Sequence, residues 1–409
     1  MRHAIVLALL LAALAAGQTW DFELVDTASH GSVSVCRHPG GTIFLAYARD
    51  TGEFALVWKD SVWHFESTGC PAYSDFAIGA DGTIGIAYKY SDSSALGYAA
   101  RTDSGWQHES LPWRTDGSKP WLGIGPTGLP GLLHVFRDDT LYLSALLIAS
   151  RTQDSWQLDT VQAAWGTPGA HYEAYGFAYD TAGGRCGLYR EWLMMPTSID
   201  NLYIFSDSGG AMLVMGFENY IGTAVMGLDP GGRWAAHYTN VVLGGRIDRL
   251  YYRDPDPGSG VCLDSSAQAA AVGLDTAGRP HVLYLKAGQM HYCWRSDTTW
   301  HRVVIPRTGV AGADFVLSDS CQPIVAFSDA QGVWLARGSD IVGVREEGPE
   351  PQAPSRKLAA TVIRSLPQGA VAFDALGRSV MNPRSGVFFV REAQAQAQAQ
   401  AIRRVVVTR

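Results

Sequence analysis

Cysteine is scarce and scattered: six residues, at 36, 70, 186, 262, 293 and 321, with no Cys-x-x-Cys pair. That spacing excludes the common zinc motifs. Charge is also sparse, at 17% of residues with a formal net charge of −7, which leaves no basic footprint for nucleic acid. There is no Gly-x-Ser-x-Gly nucleophile elbow and no phosphate-cradling glycine loop. Asp254-Pro-Asp256-Pro-Gly258-Ser-Gly260 sets two carboxylates two positions apart but lacks the ligand series of a calcium loop, so it reads as an exposed turn. No metal and no cofactor is expected. Helical periodicity is missing after the first twenty residues.

What the chain does have is glycine (45), tryptophan (13) and recurrence. Phe76 to Leu111 shows the unit: Phe76-Ala-Ile-Gly-Ala-Asp81-Gly82-Thr-Ile84-Gly-Ile86-Ala-Tyr88, then Ala95-Leu-Gly-Tyr98-Ala-Ala-Arg101, then Asp103-Ser-Gly-Trp106-Gln-His-Glu-Ser-Leu111. Alternating apolar residues divided by Asp-Gly and Ser-Gly turns make a four-stranded antiparallel meander. A glycine six positions before a tyrosine marks the copies at Gly41/Tyr47, Gly82/Tyr88, Gly183/Tyr189, Gly232/Tyr238 and Gly278/Tyr284. Gly128/His134 and Cys321/Phe327 are weaker copies, the last with Cys in the glycine position. Intervals of 41 to 55 residues between these anchors predict an all-β fold, a seven-bladed β-propeller, with six or eight blades as alternatives.

Met1 to Gln18 has the layout of a signal peptide, with Arg2 and His3, the apolar run Ala4 to Ala16, and small residues at Ala15-Ala-Gly17. The run is too short to span a bilayer, so no stable membrane span is expected after cleavage. An exported chain can carry disulfides, and the cysteines read as structural, either paired or simply buried. Trp20-Asp-Phe-Glu-Leu-Val25 resembles the outer strands beginning at Trp106, Trp156 and Trp300 yet precedes the first inner strand. It predicts that the N-terminal strand closes the ring by completing the last blade, whose own fourth segment, Ile341 to Arg345, is weak.

The turns Asp60-Ser-Val-Trp63, Asp103-Ser-Gly-Trp106, Gln153-Asp154-Ser-Trp156 and Asp297-Thr-Thr-Trp300 look like a shortened form of the Asp-box of sialidase-type propellers. In that family such turns are structural, with the tryptophan packed between blades. Arg37-His-Pro39 before Gly41 also resembles the opening of a sialidase propeller, but an arginine triad and a Tyr/Glu nucleophile pair have no matched positions.

A propeller ligand usually meets the face formed by loops entering the innermost strands and loops joining second to third strands. The aromatic loops there are Trp113-Arg114-Thr-Asp116-Gly-Ser-Lys119-Pro-Trp121 and Trp165-Gly-Thr-Pro-Gly-Ala-His171-Tyr172-Glu173-Ala-Tyr175. Arg49 with Asp50, Arg137 with Asp138 and Asp139, and Arg190 with Glu191 and Trp192 follow second strands. The ligand-binding candidates are Trp113, Arg114, Trp121, Trp165, His171, Tyr172, Glu173, Arg190 and Trp192. Aromatic platforms beside charges suit a glycan or a protein ligand, while the bland alternative is that these rings plug the channel. No catalytic residue is assigned. His171 and Glu173 alternate on an extended chain and so can face the same way.

The propeller is expected to end at 347, followed by a proline-rich linker over 348–358 and a C-terminal β domain over 359–409 that reads as a small sandwich. From Arg356 onward the net charge is +7, against −14 for the rest. The Ala-Gln repeat at 393–401 is of low complexity. Phe373-Asp-Ala-Leu-Gly-Arg-Ser-Val380, Ser385-Gly-Val-Phe-Phe-Val-Arg391 and Arg404-Val-Val-Val-Thr-Arg409 resemble the C-terminal sorting domain of type IX secretion substrates. That resemblance implies a bacterial passenger carried to the surface or released by the type IX machinery. The expectation is a secreted or cell-surface propeller that binds a glycan or protein, with sialidase-like glycoside hydrolysis or a purely structural module as alternatives.

Overall fold

The structure is a computed structural model. It describes residues 19–27, 29–91, 93–164, 170–193, 199–215, 219–242, 248–255 and 260–339, with short strands at 361–363, 371–373, 379–380, 386–391 and 402–407. The segments expected as signal peptide and linker, Ile341 to Arg345, the Ala-Gln repeat and Trp165 lie outside the described residues. The chain divides into two compact units, Met1–Gly343 and Val344–Arg409.

The first unit opens with β1 (Thr19–Asp26). Blade 1 is β2 (Ser29–Arg37), β3 (Ile43–Arg49), β4 (Glu53–Lys59) and β5 (Trp63–Pro71). Blade 2 is β6 (Ser74–Ile78), β7 (Ile84–Lys89), β8 (Ala95–Thr102) and β9 (Gly105–Arg114). Blade 3 is β10 (Trp121–Ile124), β11 (Pro130–Asp138), β12 (Leu143–Arg151) and β13 (Trp156–Ala164). Blade 4 is β14 (Ala170–Tyr179), β15 (Arg185–Leu193), β16 (Ile199–Ser206) and β17 (Gly210–Met215). Blade 5 is β18 (Asn219–Leu228), β19 (Trp234–Val242), β20 (Asp248–Arg253) and β21 (Val261–Ser265). Blade 6 is β22 (Gln268–Leu274), β23 (Pro280–Lys286), β24 (Gln289–Ser296) and β25 (Thr299–Ile305). Blade 7 is β26 (Gly312–Leu317), β27 (Pro323–Asp329) and β28 (Gly332–Ser339), completed by β1.

Seven four-stranded antiparallel sheets therefore form the propeller, and the N-terminal strand closes it as the sequence implied. Trp20 pairs with Gly338 and Leu24 with Trp334. Glu23 on β1 is ion-paired to Lys59 of blade 1 and to Arg337 of blade 7, so the closing strand ties both neighbours.

The alternation of side chains across each strand explains the stacking. Ile84, Ile86 and Tyr88 join a core with Phe44, Leu56 and Cys70 of blade 1, while Ala87 on the opposite face joins Leu122 and Leu132 of blade 3. The seven anchors Tyr47, Tyr88, His134, Tyr189, Tyr238, Tyr284 and Phe327 are all buried. Trp63, Trp106, Trp156 and Trp300 pack against these interblade cores, matching the structural role the turn pattern suggests. Asp60 caps its turn through the amide of Val62 at 3.0 Å.

The glycine spacing has a clear cause. Every turn from first to second strand has five residues. In each, the fourth residue donates its amide to the carbonyl of the first, as in Gly183 to Asp180 and Cys321 to Ser318. That fourth residue lies at positive φ: Gly41, Gly82, Gly128, Gly183, Gly232 and Gly278 between +72° and +89°, and Cys321 at +57°. No disulfide joins the six cysteines; Cys70, Cys186 and Cys293 are buried, and burial pushes each of those thiols up to about 12.

The second unit carries β29 (Thr361–Ile363), β30 (Val371–Phe373), β31 (Ser379–Val380), β32 (Gly386–Arg391) and β33 (Ile402–Val407). They form one sheet in the order β29-β33-β32-β30-β31, with β29 parallel to β33.

Candidate functional site

At the end of the channel opposite the seven turns, connections vary from two to six residues. Here the sequence-named side chains of blade 4 come together. The expected loop through His171 to Tyr175 is strand instead, because β14 begins at Ala170 and runs against β15 as far as Leu193. His171 pairs with Trp192 and Glu173 with Arg190 across this ladder, so period-2 alternation puts all four on one sheet face. The His171 and Trp192 rings are 4.6 Å apart, and the Arg190 guanidinium lies 5.1 Å from the Trp192 ring centroid.

Arg190 is the fixed point. Its side chain is 4% exposed, and Nε and Nη2 each donate at 2.7 Å to the two oxygens of Asp200 on β16. This bidentate fork offsets much of the cost of burying the charge. Asp200 also accepts the Ile221 amide of blade 5 at 3.1 Å, so the fork is anchored across two blades. Arg190 Nη1 then reaches Glu173 Oε2 at 3.2 Å, and Tyr175 donates its hydroxyl to the same oxygen at 2.7 Å. Burial, reinforced by the Glu173 charge, holds the Tyr175 hydroxyl above its ordinary pKa. Glu173 itself is half exposed, so the chain ends in a carboxylate that is oriented from behind and open in front.

His171 is bridged at Nδ1 to Arg137 of blade 3 at 2.9 Å, and burial together with the Arg137 charge lowers its pKa. The ring is thereby kept neutral near pH 7. Beside it, Trp121 donates its indole N–H to the Ala174 carbonyl at 2.7 Å. The Lys119 ammonium lies 4.0 Å from the Trp121 centroid and 2.9 Å from Asp75 of blade 2, whose other oxygen accepts the Leu122 amide at 2.8 Å.

The other candidates lie apart. Tyr172 faces the opposite side of β14, where it is buried against Tyr189 and donates to Glu191 at 3.3 Å. Trp113 packs into the core between blades 2 and 3, and Arg114 is exposed at the end of β9. Asp200 and Asp75 belong to the cluster but were not marked by the sequence. Asp200 follows the irregular stretch of the fourth repeat, and Asp75 reaches its partners 44 and 47 residues away.

Among the described residues, no group of three or more His, Cys, Asp or Glu is placed to hold a metal ion. Asp254, from the proline-glycine loop, is buried and faces Arg295 at 3.4 Å and Arg233 at 3.6 Å. The opposite end of the channel is a cavity of about 700 Å³ walled by all seven blades, with Ile78, Ile124, Leu228, Leu274 and Leu317 around it.

No protein-family model matches this chain, and no curated protein matches it. Among solved structures, the polysaccharide lyase Uly1 superposes with a TM-score of 0.50 at 11% identity, over 77% of this chain and 90% of its own. An ulvan lyase of a new polysaccharide lyase family, bound to -[GlcA(1-4)Rha3S]-, superposes with a TM-score of 0.54 at 10% identity, over 78% of this chain and 95% of its own. At such identities the likeness is one of fold, and it joins this chain to the β-propellers.

Proposed function

We propose that the chain is an exported, surface-associated propeller that binds a glycan over blades 3 and 4, at the end of the channel away from the seven turns. One observation carries the reading: Glu173, held by a buried Arg190–Asp200 fork, stands in the open beside the paired rings of His171 and Trp192. A carboxylate takes hydroxyl pairs of a sugar, and an indole face takes its C–H face, so the set suits a saccharide better than an apolar peptide. The shared fold with two polysaccharide lyases supports the same ligand class. Glycan-array binding of the whole chain, repeated with Trp121→Ala and Trp192→Ala, is the test. Loss of the wild-type signal in either variant supports the site; unchanged signals, or none from the wild type, contradict it.

Export rests on the signal-like N-terminus and the resemblance of the last fifty residues to type IX sorting domains. Deleting 359–409 should leave the propeller inside the cells of a host carrying that machinery, and surface display of the truncated chain would contradict this.

A second reading is glycoside hydrolysis, favoured by the 2.7 Å hydrogen bond from Tyr175 to Glu173. A carboxylate beside a phenol can take its proton as the phenol oxygen bonds to an anomeric carbon and the aglycone oxygen leaves. Water then displaces the phenol oxygen, which takes the proton back from the carboxyl group, while the proton that water loses goes to the released aglycone. Hydrolysis of aryl glycosides that vanishes in Tyr175→Phe while glycan binding survives would establish it.

A further inference from the structure

A different cleft opens between blades 1 and 2, at the turn end of the molecule and away from the glycan-binding face. It encloses about 330 Å³ and is lined in part by His38, Phe44, Trp58, Arg101 and Asp103. Its floor is a ladder of rings on one face of blade 1. Phe44 pairs with Trp58 and Trp58 with His64 across three strands. Ring centroids are 6.0 Å apart from His38 to Phe44, 5.7 Å from Phe44 to Trp58 and 5.2 Å from Trp58 to His64.

Blade 6 places His281, Trp294 and His301 at the corresponding positions, with Tyr292 two residues along β24 beside them. There blade 7 closes over them: Phe315 meets Tyr292 edge-on at 5.6 Å, and Trp294 is only 6% exposed. In blade 1 the corresponding Trp58 stays half-buried, and the facing wall of blade 2 presents Gly82, Ile84 and Thr102. Phe44 is itself 5% exposed and packed with Phe76 and Ile84 of blade 2, so the half-buried Trp58 is the part of this ladder that the cleft reaches.

The polar lining has a definite sign. Arg101 lies with its guanidinium carbon 4.5 Å from the Trp58 centroid and spends Nε on Glu66 at 2.9 Å. Its two terminal nitrogens have no protein partner among the described residues. His38 Nδ1 accepts the Gly40 amide at 3.0 Å, so in the neutral ring the proton sits on Nε2. The cleft thus offers a guanidinium edge and an imidazole N–H above an aromatic floor. Donors in that arrangement take a carboxylate, and the floor takes the ring that carries it. The volume is near the lower end of small-molecule sites, about 300–1,000 Å³.

We propose that this cleft binds a six-membered ring bearing a carboxylate, its charge on Arg101 and its ring against Trp58. Titration of the whole chain with glucuronate, benzoate and glucose, followed calorimetrically, tests it. At least one acid should bind with a Kd of about a millimolar and glucose should not; which acid binds distinguishes a sugar acid from an aromatic acid. Arg101→Gln should weaken binding about tenfold or more, the scale of one charged hydrogen bond. Because that variant also unpairs Glu66, Asp103→Asn is the companion: Asp103 is exposed, and removing its repulsion should tighten the acid about twofold. Binding of glucose equal to that of the acids, failure of both acids, or affinities indifferent to both variants would overturn the proposal.

Discussion

The two ends of the channel are built on opposite plans. At one end, seven five-residue turns repeat a single hydrogen-bonded geometry. At the other, connections of two to six residues differ from blade to blade, and blade 4 carries a buried cation, an oriented carboxylate and paired rings. Repetition at the turn end follows from what a closed ring needs: each sheet must present the same edge to its neighbour. The far end is relieved of that demand, so it can hold polar residues that packing alone would not select.

The largest effect should come from breaking the anchored side of this contrast. Replacing Arg190 by Ala leaves Asp200 buried without its fork and should cost about 3–5 kcal/mol, read as a fall in denaturation midpoint. A cost within about 0.5 kcal/mol would mean that the fork is not a fixed support.

Acid should come next. His134 and His237 are fully buried with no partner on either ring nitrogen, and burial lowers them from 6.5 to about 4 and about 3. Depressed histidines favour folding fully above pH 6.5, and that stability is lost as pH falls through 6.5 toward the folded values. At pH 4.5 each should cost about 2–3 kcal/mol relative to pH 7. His134→Phe, which installs the residue type found at the Phe327 anchor, should remove the His134 share of the acid loss, about 2–3 kcal/mol at pH 4.5, in paired denaturant titrations.

The turn end offers a smaller and opposite change. Cys321 holds at +57° the position that glycine fills in the other six turns. Cys321→Gly should therefore raise stability by about 1 kcal/mol, since a side chain in left-handed backbone is strained by roughly that amount. A decrease would mean that contacts of the Cys321 side chain outweigh the strain.

This division also explains what could be read from the sequence. The turn end was legible because positive φ leaves a residue-level mark: the spacing from Gly41 to Tyr47 repeats even where Cys321 replaces the glycine. The closing strand was legible because Trp20 to Val25 has the form of an outer strand without an inner one before it. The candidate site was legible only in part. Glu173, Arg190, His171 and Trp192 stood out as charged and aromatic residues, but Tyr172 between them turns to the other face, a distinction that needs strand rather than loop at 170–175. Asp200 was hidden because its pairing with Arg190 depends on the register of two strands, which the intervening residues do not spell out.

Glu173→Gln tests the contrast most directly, with melting temperature and glycan-array binding measured on the same preparation. Glu173 is half exposed and supported rather than supporting, so stability should stay within about 0.5 kcal/mol while binding is lost. A melting temperature that falls by several degrees with binding intact would contradict the account, because Glu173 would then belong to the frame and not to the site.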